Sequence, residues 1–209
     1  PDREFTGLRE ELAGYLAHGV EADQVWAANG SNEVLLHLLQ AFGGPGRTAL
    51  GFTPGYAMHP IISRTTGTGW VDGRRGASAE EFAMDATTVV EQIVRYRPDL
   101  VFLCSPNNPT GTALGPGVVE AACSASGKAV VVVDEAYAEF ARAGTASALS
   151  LLPGRPRLVV TRTMSKAFAL AGARRRILPR VEGRVRHPLR RCRMRGQEFH
   201  RPGIGLAAT

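Results

Sequence analysis

The chain has 209 residues, 44% of them hydrophobic, enough for one well-buried domain and a fragment of a second. No apolar run reaches the roughly 18 residues of a membrane span. The three cysteines, Cys104, Cys123 and Cys192, are odd in number and form no CxxC pair, so neither a disulfide framework nor a zinc site is expected.

Charge is unevenly spread. Residues 1–173 carry 14 basic and 17 acidic side chains, while residues 174–209 carry 11 Arg against Glu182 and Glu198. The main body is mildly acidic, and all of the net +6 comes from the last 36 residues, so a nucleic-acid partner is not expected. The chain opens at Pro1 with no basic, apolar leader. A missing N-terminal segment and a cytoplasmic location are the expectations.

In chain order, Phe5, Leu8, Leu12, Tyr15 and Leu16 fall at helical spacing and predict an amphipathic helix over 5–17, closed by Gly19. A short apolar piece, Val25 to Ala28, leads into Gly30-Ser31-Asn32-Glu33, which opens a helix running to Phe42 and ending at Gly43-Gly44-Pro45-Gly46. Thr48 to Phe52 reads as a strand, a helix follows Tyr56, and Trp70 to Asp72 is a further strand. Val89 to Tyr96 and Val118 to Ser126 are helical; Leu100 to Cys104, Ala129 to Val133 and Leu158 to Thr161 are strands. A small-residue helix is expected over Ala167 to Ala173. Unbroken apolar strands mean a sheet covered on both faces, and alternation with helices means a mostly parallel α/β sheet.

Such sheets bind ligands beyond the carboxyl ends of their strands. The sharply turned polar segments of this chain lie there: Ser105 to Gly111, Asp134 to Tyr137, and Thr163 to Lys166. A lysine at a strand end, partly desolvated, is suited to form a Schiff base, although an ordinary surface lysine is the plainer alternative. Only Lys128 and Lys166 accompany 23 Arg, and arginine cannot make an imine. Asp134 closes a buried strand; a carboxylate there needs a cationic partner such as a pyridinium, or else it is a junction cap. Asn108, between Pro106 and Pro109, can present an amide to a ligand or simply belong to a loop. Gly30 to Glu33 suits a phosphate at a helix N-terminus, or simple capping by Ser31.

Taken together, these segments resemble, in family order, the large domain of class I/II (fold type I) pyridoxal-phosphate (PLP) aminotransferases. The matching pieces are Gly30 to Glu33, Pro54-Gly55-Tyr56, Asn107 to Gly111, Asp134 to Tyr137, Ser165-Lys166 and Arg174. The resemblance implies a three-layer αβα large domain with a mostly parallel mixed sheet over residues 1–174. Pyridoxal 5'-phosphate is the implied cofactor. Lys166 would be its imine lysine and the base of the 1,3-proton shift, and Asp134 would pair with the pyridine nitrogen. Tyr137 and Asn108 would bond the phenolic oxygen, and Tyr56 would stack on the ring. Ser31, Asn32, Thr163, Ser165 and Arg174 would hold the phosphate.

Trp26 to Glu33, Tyr56 to Pro60, Asp134 to Phe140 and Ser165 to Gly172 are further similar to histidinol-phosphate aminotransferases of high-GC actinobacteria. That similarity implies amino transfer between histidinol phosphate and 2-oxoglutarate in a homodimer. Aromatic amino-acid aminotransferases and a threonine-phosphate decarboxylase share much of the pattern. A PLP-sensing regulator or a non-catalytic remnant are readings of another class. No GxSxG elbow, GxGxxG turn or metal-spaced histidines occur, and His59 reads as local packing.

Beyond Arg174 the resemblance stops. Residues 175–209 are arginine-rich and show no strand or helix period. A shifted reading frame in a GC-rich gene is the favoured explanation, ahead of a basic tail and a folded variant of the small domain. The small C-terminal domain is therefore expected to be missing, dimerisation doubtful, packing of 175–209 poor, and turnover by the chain weak or absent.

Overall fold

The computed structural model describes residues 4–76, 82–171 and 204–208, the last five as backbone. One seven-stranded sheet organises the chain. Its strands are β1 (Val25–Asn29), β2 (Thr48–Thr53), β3 (Gly69–Arg74), β4 (Leu100–Cys104), β5 (Val130–Asp134), β6 (Leu158–Thr163) and β7 (Ile204–Ala208). They lie in the order β1-β7-β6-β5-β4-β2-β3, and every described pairing is parallel. The sheet is parallel as expected; the antiparallel member that "mixed" implies is not among the described residues.

Five helices cover it: α1 (Thr6–Leu16), α2 (Ser31–Phe42), α3 (Met58–Thr65), α4 (Ala86–Tyr96) and α5 (Pro116–Ala125). Alternation along each strand divides the core in two. Leu50, Val101, Leu103, Val131, Val133 and Val160 pack on the side of α1, α4 and α5. Ala49, Leu100, Phe102, Val130, Val132 and Val159 face α2 and α3. This is the αβα layering, and it explains the continuous apolar strands, since β4 and β5 are buried at every position. Truncating Leu103, which is fully buried, to Ala would cost about 2–5 kcal/mol.

Local signals set the element ends. Asp85 caps α4, its carboxylate accepting from the Thr88 N–H. Pro116 opens α5, where a missing N–H costs nothing. Gly30, at φ +84°, turns β1 into α2, a backbone angle that favours glycine.

Two expectations fail. The predicted helix at 167–173 does not form over its described part: Ala169 sits at φ +53° and Leu170 N–H turns back to the Met164 carbonyl. Residues 172 and 173 lie outside the described set. The second concerns the tail, in which no strand was expected. Residues 204–208 form β7, paired with both β1 and β6. The segment Ile-Gly-Leu-Ala-Ala is too short and too small in its side chains to stand out by period. Residues 175–203, and with them the rest of the expected poor packing, lie outside the described residues.

Candidate active site

Because the strands are parallel, the turns after β1, β2, β4, β5 and β6 open on one edge of the sheet. The candidate residues all end those strands or follow them, except Arg174, which lies outside the described residues.

Asp134 ends β5 and is almost wholly buried. Its Oδ1 accepts from the Ala136 N–H and the Thr161 hydroxyl, both at 3.2 Å, and its Oδ2 lies 2.9 Å from His59 Nε2. His59 stacks on Phe102, with centroids 5.0 Å apart, so it is a packing residue as expected. It is also the partner of the Asp134 carboxylate, which the sequence reading missed. A histidine at a buried position of α3 demands a polar partner, and that signal was available.

At the start of α2, Ser31 is buried, and the N–H groups of Ser31 and Asn32 occupy the first turn, where no intrahelical acceptor precedes them. Tyr56, between β2 and α3, donates its hydroxyl to Asn32 Oδ1 at 3.2 Å and stands edge-on to His59. Asn32 and Tyr56 are therefore joined to one another, and through His59 to Asp134.

In the turn after β4, Asn107 does the structural work. Its amide donates to the Pro54 carbonyl and to Thr110 Oγ1, and Gly111 at φ +71° completes the bend. Asn108 is left half-buried at the same edge. Beneath this turn the Cys104 thiol is buried, which raises its pKa to about 12, with the nearby Asp134 charge adding to the effect.

After β6, Thr163 Oγ1 accepts from the Ser165 N–H, and Ser165 Oγ is buried with no hydrogen-bond partner among the described residues. Lys166 Nζ stands 5.5 Å from the centre of the Tyr137 ring. Partial desolvation of Lys166 was expected; the residue is exposed, because the loop replacing the predicted helix carries it outward.

A polar cluster around Arg162 was not foreseen. Arg162 of β6 lies between Glu135, at 2.7 Å, and Glu139, at 3.0 Å, and also donates to Ser147 Oγ. Glu135 further accepts from the Ala148 N–H, and Glu139 from the Tyr15 hydroxyl. Burial, followed by the Glu139 charge, raises the Tyr15 pKa. An arginine inside an apolar strand followed the pattern of a residue that must find carboxylates, and Glu135 and Glu139 are close by in the neighbouring turn. Among the described residues no cluster of His, Cys, Asp and Glu could hold a metal ion, and no helix is long and apolar enough to cross a membrane.

Comparison with known proteins gives the same outline. The family model described as "Aminotransferase class I and II" matches residues 1–175. A histidinol-phosphate aminotransferase of Frankia casuarinae is 64% identical over 181 residues, covering 83% of this chain and 45% of the relative. Another, of Paenarthrobacter aurescens, is 60% identical over 176 residues, covering 83% and 46%. Among solved structures, histidinol-phosphate aminotransferase of Sinorhizobium meliloti in complex with pyridoxal-5'-phosphate aligns with TM-score 0.73 and 26% identity, over 83% of this chain and 46% of that one. The chain spans about half the length of the curated relatives it matches. With a family model over most of the chain and its strands, turns and polar groups in matching order, the chain belongs to the class I and II aminotransferase family.

Proposed function

We propose that this chain carries the cofactor-binding half of a PLP-dependent transaminase whose reaction is L-histidinol phosphate plus 2-oxoglutarate to imidazole-acetol phosphate plus L-glutamate. The observation that carries the catalytic reading is the Lys166 amine against the Tyr137 ring, on the edge where the buried Asp134 carboxylate ends β5. The substrate assignment rests on the two relatives at 60–64% identity.

The residues present fit the cofactor. Ser165 Oγ, buried without a partner among the described residues, and the N–H groups of Ser31 and Asn32 in the first turn of α2 suit a phosphate. Ser31, Asn32, Thr163, Ser165 and, outside the described residues, Arg174 would hold it. Asp134 would face the pyridine nitrogen, Asn108 and Tyr137 the phenolic oxygen, and Tyr56 would flank the ring. When bound, PLP supplies an electron sink for the carbon that loses its proton. The chain's own part would be orientation and proton transfer: the Ala136 and Thr161 donors fix the Asp134 carboxylate in place, and the Lys166 amine would take and return a proton.

The test uses purified protein with added PLP, histidinol phosphate and 2-oxoglutarate, followed by coupled detection of glutamate. Glutamate formation that depends on histidinol phosphate and is lost in Lys166→Ala supports the reading in full. A cofactor band lost in Lys166→Ala with little or no glutamate, the outcome expected of a chain that spans about half its relatives' length, supports the cofactor-binding half alone. Cofactor binding with an aromatic amino acid as the better donor would replace the substrate assignment, and no cofactor binding would overturn the whole.

A further inference from the structure

Arg162 has a position that its distance from the candidate chemistry conceals. It lies one residue before Thr163 in β6, the strand that leads to Lys166. Its two carboxylate partners, Glu135 and Glu139, flank Tyr137 on either side. Nε and Nη2 both reach Glu135 Oε2, at 2.9 and 2.7 Å, while Nη1 reaches Glu139 Oε1 at 3.0 Å. The planar fork thus spans the Tyr137 turn from one end to the other. The cluster is largely buried, with Arg162 side-chain exposure at 11%. Tyr15 of α1 then closes it from outside. Its hydroxyl donates to Glu139, and its ring meets Phe168, two residues after Lys166, edge-to-face at 5.6 Å.

We propose that Arg162 is a positioning residue that fixes the Tyr137 ring against the Lys166 amine. The proposal rests on the reading of Tyr137 and Lys166 as site groups given above. Two turns from different strands meet at the site, with the Lys166 amine 5.5 Å from the Tyr137 ring. The Glu135 N–H to Thr161 carbonyl bond anchors the start of the Tyr137 turn to β6, and Arg162 reaches its far end at Glu139. The guanidinium fork supplies the rigid link. Lysine at 162 would keep the charge but not the planar fork, so it would hold one carboxylate and release the other.

The chain's lysine content makes this testable without cofactor. Only Lys128 and Lys166 occur, so the 209-residue chain labelled with 13C at lysine Cε gives two side-chain signals. The third signal that Arg162→Lys adds is told from Lys166 by its survival when Arg162→Lys is combined with Lys166→Arg. Tyr137→Leu identifies the displacement of the Lys166 signal caused by the tyrosine ring. The proposal expects Arg162→Lys and Glu139→Gln each to move the Lys166 signal in the same direction, toward its position in a free lysine, with Lys128 unmoved. Combined with Tyr137→Leu, Arg162→Lys should add little further shift, the non-additivity expected of residues acting through one contact.

A Lys166 signal unchanged in Arg162→Lys but moved in Tyr137→Leu overturns the proposal. A signal unmoved even in Tyr137→Leu overturns it too, because the amine would not be at the ring. If Arg162→Lys does not fold, Glu139→Gln decides by the same criterion. Adding PLP to the same samples reads the cofactor assignment separately. Absence of a visible cofactor band in the unsubstituted protein would remove that assignment and leave the NMR result standing.

Discussion

His59 Nε2 and Asp134 Oδ2 lie 2.9 Å apart with both side chains buried, so helix α3 and strand β5 meet through one polar contact inside an otherwise apolar layer. The contact accounts for a histidine on the sheet-facing side of α3 and satisfies the second oxygen of a carboxylate that water barely reaches. His59→Leu keeps the packing on Phe102 and leaves Asp134 Oδ2 without its donor. A loss of about 1–3 kcal/mol is expected, the cost of an unsatisfied buried acceptor. Urea unfolding measures it, and a change below about 0.5 kcal/mol, typical of surface substitutions, would contradict the contact.

Cys104 makes a prediction about pH. Burial raises its pKa from 9.0 to about 12, so the folded chain keeps its thiol proton where the unfolded chain loses it. The unfolded state then binds fewer protons than the folded state, and stability falls as pH rises. The contribution is fully present below pH 9.0 and is lost as pH climbs from there through about 12. In protein carrying Cys123→Ser and Cys192→Ser, the one remaining thiol should resist alkylation near pH 8 until the chain is unfolded. Rapid alkylation of the native protein would place Cys104 at the surface.

Strand β7 joins β1 to β6, which have no direct pairing with each other among the described residues. The turn carrying Ser31 and Asn32 and the turn carrying Ser165 and Lys166 therefore stand on either side of it. Leu206→Pro removes a ladder N–H from a strand paired on both edges. Amide exchange at Val25–Asn29 should accelerate strongly, while exchange at Val130–Asp134, two strands beyond β7, changes less. Unchanged protection of β1 would show that β7 does not carry it.

The framework of the sheet was legible because β4 and β5 are buried throughout and announce themselves by runs of Leu, Val and Phe, and β6 by its opening Leu158-Val159-Val160. The turns were legible because glycine, proline and asparagine mark them. What could not be read was pairing at a distance. His59 with Asp134 is 75 residues apart in sequence, and Tyr15 with Glu139 is 124, so no local pattern links them. The small residues after Lys166 suggested a helix through propensity alone, and the contacts of the loop overrode it, as the Leu170–Met164 hydrogen bond shows. The β7 strand escaped notice because Ile-Gly-Leu-Ala-Ala lies in an arginine-rich segment without period.

The central claim is that Lys166 is the group to which the cofactor is attached, and the chain has only one other lysine with which to confuse it, Lys128. The 209-residue chain is mixed with PLP, cleared of excess, and its visible absorbance recorded beside Lys166→Ala and Lys128→Ala. The account predicts a band retained in Lys128→Ala and abolished in Lys166→Ala, with the latter still folded by circular dichroism. A band that survives Lys166→Ala, or one that disappears with Lys128→Ala, would contradict it.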